Sequence, residues 1–152
     1  MSHSFTFPPL HTPRWLHNGH VETIYAKSLQ SAPPVYRRER LPDSTGLTRT
    51  AYDFIDSISP DAPLVVLFHG LEGSSSSHYA VELMRAVQAR GWNGVVAHFR
   101  GCGGEPNTAP VYYHAGDGAE IGFVLQTLAQ RYPIIYTVGV SLGGNAMLNY
   151  LG

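Results

Sequence analysis

The sequence predicts an α/β fold: a mostly parallel sheet with crossover helices, entered through an N-terminal antiparallel hairpin. Three observations carry this. Apolar runs at 64–69, 93–99 and 134–138 alternate with two stretches of helical periodicity, the pattern of parallel strands joined by crossover helices. Val35–Leu41 and Arg49–Ile55 flank Pro42-Asp43-Ser44-Thr45-Gly46, a turn-forming cluster that predicts a hairpin. The last apolar run ends in Gly139-Val140-Ser141-Leu142-Gly143, where a strand must swing abruptly into a helix.

Each element has its own signals. Residues 1–34, rich in proline and histidine, read as an irregular arm with one short helix near 21–29, and residues 35–152 as the domain proper. Leu64-Val65-Val66-Leu67-Phe68-His69 is an unbroken apolar run of the kind buried on both faces of a sheet. A helix follows from about His78 to Arg90, with Ala80, Leu83, Met84 and Val87 inward and Gly91 as its stop. Asn93–Phe99 is the next strand, and Arg100–Ala115 is too rich in Gly and Pro for regular structure. A second helix begins at Asp117, which stands at capping-box spacing from Glu120; it turns Ile121, Val124, Leu125 and Leu128 inward and ends before Pro133. Ile134–Val138 then reads as a buried strand, and Asn145–Leu151 carries apolar residues at helical spacing.

Composition narrows the function classes. At 152 residues the chain can hide about two thirds of its unfolded surface, enough for one core. Hydrophobic residues make up 43% and the formal net charge is -1, which argues against charge-driven disorder and against a nucleic-acid footprint. The single cysteine, Cys102, precludes an internal disulfide and fits a reducing compartment. Met1–Leu10 has neither the basic nor the apolar region of a secretory signal, and no window approaches a membrane span. The expectation is a cytoplasmic protein, with membrane association left open.

Ser141 is the candidate nucleophile. The turn around it is tight enough that Gly139 and Gly143 are needed on either side. The bare motif is common by chance; strand, turn and helix in the required order give it weight. His69-Gly70-Leu71-Glu72-Gly73 follows the strand at 64–69, and a backbone amide from such a loop can join the amide after the nucleophile to hold an oxyanion. The candidate donors are the N–H groups of Leu71 and Leu142, with Gly70 shaping the loop; read alone, His-Gly after an apolar strand is equally a simple strand-ending turn.

Other chemistries are weaker. His17 and His20 have tolerable metal-ligand spacing, but no third or fourth ligand stands nearby, so no metal is expected. Cys102 in Arg100-Gly101-Cys102-Gly103-Gly104 reads as a small residue in a glycine loop, with no basic partner to make it a thiolate. Pro106 breaks G-x-G-x-x-G, so no dinucleotide loop is present. Asp117 is explained by capping rather than as a catalytic acid.

Five stretches together resemble the YheT-like branch of the α/β-hydrolase superfamily. They are Trp15–Ile24, Phe68–Ser74, Phe99–Asn107, Tyr113–Asp117 and Gly139–Asn145, in that order and across nearly the whole chain. His17 and Glu22 depart from the arginine and glutamine more usual there. The resemblance implies a cofactor-free carboxylic-ester hydrolase acting on short- or medium-chain acyl or lipid-like esters through a Ser-Asp-His triad. In that fold the acid and histidine follow the serine, yet no Asp, Glu or His follows Ser141. The expectation is therefore the N-terminal half of such an enzyme, inactive alone, with Ile134–Val138 as an unpaired apolar edge. An alternative is a non-catalytic module that pairs through this edge with a partner chain or with the missing C-terminal half.

Overall fold

The computed structural model describes residues 32–152. The arm assigned to residues 1–34, with its short helix and with His17 and His20, lies almost entirely outside those residues.

Among the described residues, five strands form one sheet in the order β1-β2-β4-β3-β5, with β1 at Arg37–Pro42, β2 at Arg49–Ile55, β3 at Leu64–Phe68, β4 at Asn93–Ala97 and β5 at Ile135–Gly139. β2 is antiparallel to both β1 and β4, while β3 is parallel to β4 and to β5. The sheet is thus mixed, with β2 alone opposing the common strand direction. The hairpin turn is closed by Asp43, whose N–H donates to the Thr48 carbonyl at 3.1 Å and whose carbonyl accepts the Gly46 N–H at 3.0 Å. Gly46 sits at φ +70°, where a side chain would be strained.

Among the described residues, three helices cover the sheet: α1 (His78–Ala89), α2 (Gly118–Ala129) and α3 (Leu142–Leu151). Residues alternate across each strand, so Leu64, Val66 and Phe68 of β3 join Tyr52, Phe54, Val95, Ile121, Val124, Leu128 and Ala146 in a core beneath α2 and α3. Leu67, Val96 and Ile55 face the other way, against Ala80 and Met84 of α1. Gly118 and Gly122 let α3 approach closely, since a Cβ at Gly122 would lie 2.6 Å from the Tyr150 ring.

Some sequence expectations shift in detail. The buried stripe of α1 is Ala80, Val81, Met84 and Val87, so the helix is turned toward Val81 and leaves Leu83 at the rim of the core. Leu125 is likewise only partly buried on α2. Asp117 caps α2 as expected, its side chain accepting the Glu120 N–H at 3.3 Å. The reciprocal half of the capping box does not form, because the Glu120 carboxylate is drawn instead to Arg100 and to the Ser44 N–H.

Arg100 organises this corner. Buried, it donates to Asp43 at 2.6 Å, Asp117 at 2.7 Å, Glu120 at 2.6 Å and the Ser44 hydroxyl at 2.8 Å. The hairpin turn, the start of the 100–115 loop and the N-terminus of α2 are therefore held by one guanidinium. Burial alone would raise the Asp43 carboxyl, but Arg100, the Thr45 hydroxyl and the Thr48 amide outweigh it and hold it down to about 2.

β5 differs from the buried strand expected. Among the described residues it pairs with β3 alone, and it is only half-buried, with Tyr136 52% exposed. Within the described residues β5 is thus an edge strand, with the backbone groups of its far side unpaired there. Ile134, Leu148 and Leu151 are also exposed nearby.

Candidate active site

The chain leaves β3 toward α1 on one face of the sheet and leaves neighbouring β5 toward α3 on the other face. Adjacent parallel strands whose connections diverge in this way open a crevice at their carboxyl ends. Loop 69–77 and the turn at 140–141 meet at that crevice.

Ser141 is the N-cap of α3 and adopts φ 51°, ψ −114°, one of two non-glycine residues at positive φ among the described residues. The turn is fixed around it. The Val140 N–H donates to the Phe68 carbonyl at 3.0 Å, the Gly143 N–H to the Val140 carbonyl at 3.0 Å, and the Asn145 N–H to the Ser141 carbonyl at 3.0 Å. Gly139 and Gly143 are sterically required, since a Cβ on Gly139 would fall 2.5 Å from the Gly144 Cα and one on Gly143 would fall 2.3 Å from the Phe68 oxygen. Ser141 is exposed, and its hydroxyl has no hydrogen-bond partner among the described residues.

Gly70, of the loop that carries Leu71, packs against the serine. A Cβ built on Gly70 would lie 3.5 Å from the Ser141 Cβ, so the 70–73 loop rests against the serine. The loop is a turn closed by the Gly73 N–H donating to the Gly70 carbonyl at 3.0 Å, with Glu72 at φ 51°. Leu71, at its tip, is 71% exposed. The Leu71 amide has no hydrogen-bond partner among the described residues, and Leu142, as the first residue of α3, has no carbonyl one turn earlier in the helix to accept its amide.

His69 and His98 are structural. The Phe99 N–H donates to His69 Nε2 at 3.2 Å, so that nitrogen is unprotonated and Nδ1–H donates to the Gly70 carbonyl at 2.7 Å. His98 is fixed in the same tautomer, accepting the Ser75 N–H at 3.1 Å and donating to the Ala51 carbonyl at 2.9 Å. Burial keeps both neutral, pushing His69 down to about 4 and His98 downward as well. His98, Asp53 and Ser75 contain the three residue types of a catalytic triad in the wrong arrangement. The Ser75 hydroxyl donates to Asp53, which also takes a bidentate pair from Arg38, and neither histidine nitrogen meets a serine oxygen. Asp117 is occupied by Arg100 and the α2 cap, and burial raises the Cys102 thiol, leaving it a poor nucleophile. A cleft of about 610 Å³ lies beyond the loop, walled by Glu72, Gly73, Ser74, Cys102 and Tyr113 but not by Ser141. Among the described residues no cluster of three or more His, Cys, Asp or Glu could hold a metal ion, and no helix is long and apolar enough to cross a membrane.

The family model for the alpha/beta hydrolase fold matches residues 63–152, which contain β3 through α3 and both loops of the crevice. The chain belongs to the α/β-hydrolase fold family. "Putative esterase YheT" of Escherichia coli (strain K12) is 39% identical over 96% of this chain and 43% of its own length. Phospholipase ABHD3 of Homo sapiens is 29% identical over 91% of this chain and 36% of its own length. The chain thus spans less than half the length of these α/β-hydrolase relatives. Among solved structures, the Pyrococcus furiosus esterase Pf2001 superposes with a TM-score of 0.61 at 22% identity, covering 76% of this chain and 46% of that one.

Proposed function

We propose that this chain supplies the nucleophile and oxyanion half of a serine hydrolase acting on carboxylic esters through an acyl-enzyme. The observation that carries the reading is Ser141: an exposed hydroxyl on a positive-φ turn at the N-terminus of α3, with Gly70 of the neighbouring loop packed against it. Ser141 Oγ attacks the ester carbonyl carbon as its proton passes to a base. The carbonyl oxygen, now anionic, accepts hydrogen bonds from the Leu71 and Leu142 N–H groups. Collapse expels the alcohol, which takes up that proton, and water then releases the acid by the same steps in reverse order. No cofactor enters this scheme.

In this fold the acid and the histidine follow the nucleophile along the chain, and this chain spans less than half of its relatives' length, so the proposal takes the base and its orienting acid from a C-terminal part such as the relatives have. Loss of triad members leaves only the modest acceleration due to oxyanion donors and binding, so residues 1–152 alone are expected to show no useful turnover. The proposed substrates are short- or medium-chain acyl or lipid-like esters, and names such as phospholipase and monoacylglycerol lipase among the relatives support the lipid-like class.

A chimera tests this: residues 1–152 joined to the part of the Escherichia coli relative that follows its matched region, assayed with p-nitrophenyl butyrate. The chimera should hydrolyse the ester and Ser141→Ala should abolish it, while the 152-residue chain alone should not exceed background. A folded chimera without activity, or activity that survives Ser141→Ala, would overturn the proposal.

The exposed β5 edge supports a second reading, a module that pairs through this edge with a partner chain or a C-terminal half. Gel filtration with and without the separately expressed C-terminal part discriminates: a defined heterodimer supports pairing, and a lone monomer in both runs argues against it.

A further inference from the structure

Two tyrosines from separate elements grip the loop that carries the Leu71 amide. The Gly70 N–H donates to Tyr79 Oη at 3.1 Å, and the Glu72 N–H donates to Tyr113 Oη at 3.1 Å. Tyr79 comes from the first turn of α1; Tyr113 comes from the far end of the 100–115 loop and stacks on Phe99 with ring centroids 5.3 Å apart and planes 9° apart. The Gly70 carbonyl is engaged as well, by His69 Nδ1–H and by the Gly73 N–H. Among the described residues, every amide from Gly70 to Gly73 is therefore bonded except that of Leu71.

The loop is shaped to admit these hydroxyls. A Cβ on Gly73 would sit 2.4 Å from Tyr79 Oη and 2.9 Å from the His69 Cβ, so only glycine leaves Tyr79 room to reach in. Glu72 holds a left-handed φ that its side chain disfavours, and its amide is the one Tyr113 accepts. Phe99, which stacks on Tyr113, also donates its N–H to His69, so the far loop and β3 brace the turn through one residue.

We infer that Tyr79 and Tyr113 are positioning residues, a hydroxyl clamp that binds the amides on both sides of Leu71 and leaves the Leu71 N–H as the loop's one free donor, aimed for the oxyanion. This rests on the hydrolase reading for its purpose, though not for its existence. Oxyanion donors act only if they are already in place when charge develops, and a displacement of about 1 Å can lower the rate by about a hundredfold.

Amide exchange in the 152-residue chain tests the clamp without any activity. The Gly70 and Glu72 amides should be protected and Leu71 should exchange freely; Tyr79→Phe should speed Gly70 at least about tenfold, and Tyr113→Phe should do the same for Glu72, each leaving the other amide protected. Protection of Leu71 equal to its neighbours, or variants that move neither amide, would overturn the clamp. In the chimera described above, Tyr113→Phe should lower kcat by about 10- to 100-fold with KM within about twofold, because Phe keeps the ring stacking and loses only the hydroxyl, which accepts from the Glu72 amide and also meets Cys102. Unchanged kcat beside altered Glu72 exchange would refute the positioning role and leave the hydrolase reading intact. Activity surviving Ser141→Ala would refute that reading and leave the clamp to the exchange data.

Discussion

Ser141 occupies a backbone conformation that its own side chain opposes, and removing the side chain should make the protein more stable. At φ 51°, ψ −114° a Cβ crowds the adjacent peptide units, at a cost of about 1–3 kcal/mol. Ser141→Gly relieves this but frees the unfolded chain, which returns about 0.4–1 kcal/mol to the unfolded state. Ser141→Ala keeps the Cβ and so keeps the strain. The hydroxyl has no partner to lose among the described residues, which makes the alanine variant the proper reference. The glycine variant should therefore exceed the alanine variant by about 0.5–2 kcal/mol, equivalent to roughly 2–6 °C in Tm for a chain of this size. Urea denaturation of the 152-residue chain, followed by circular dichroism, measures the difference. Glycine equal to or below alanine would mean that the turn is not strained, and the argument from its geometry would fail.

Further expectations concern the frame around the serine. Gly143→Ala drives a methyl against the Phe68 and His69 carbonyl oxygens at 2.3 and 2.5 Å, backbone atoms that cannot swing aside, so it should cost at least about 3 kcal/mol in the same assay. Arg100→Met leaves the carboxylates of Asp43, Asp117 and Glu120 buried without their cation and should cost about 3–5 kcal/mol, part of which Asp43→Asn should restore in the double variant. Stability should also fall on mild acidification. His69 takes up its proton near 6.5 when unfolded and only near 4 when folded, so between those values the unfolded state binds more protons. The loss should begin as the pH drops below about 6.5 and level off for this group near 4, with His98 adding in the same direction. Urea midpoints that stay flat between pH 7 and 5 would contradict the buried, neutral assignment of both histidines.

What the sequence disclosed follows from the range of the forces involved. Strand order was open, but the elements and their turns were written locally: the Asp43–Gly46 cluster closes the hairpin and Gly91, at φ +67°, stops α1. Ser141, Gly139 and Gly143 were readable for the same reason, since the constraint on each comes from residues a few positions away or from the strand it leaves. The misjudged details are long-range. Glu120 forgoes its capping partner because Arg100, 20 residues earlier, offers a stronger one. Leu83 lies at the rim because the fold turns α1 toward Val81, and no periodicity within the helix fixes that rotation. Tyr79 and Tyr113 carried no sequence signal for their role, being contacts made across 9 and 41 residues; only the glycine at position 73 hints that something must fit against the loop.

The most direct test of the central claim is to treat the chimera with a p-nitrophenyl alkylphosphonate and map the adduct by peptide mass spectrometry. One phosphonyl group is expected, carried by Ser141, with esterase activity lost in step with its attachment. Inactivation with the group on any other residue, or full labelling of Ser141 with activity retained, would contradict it.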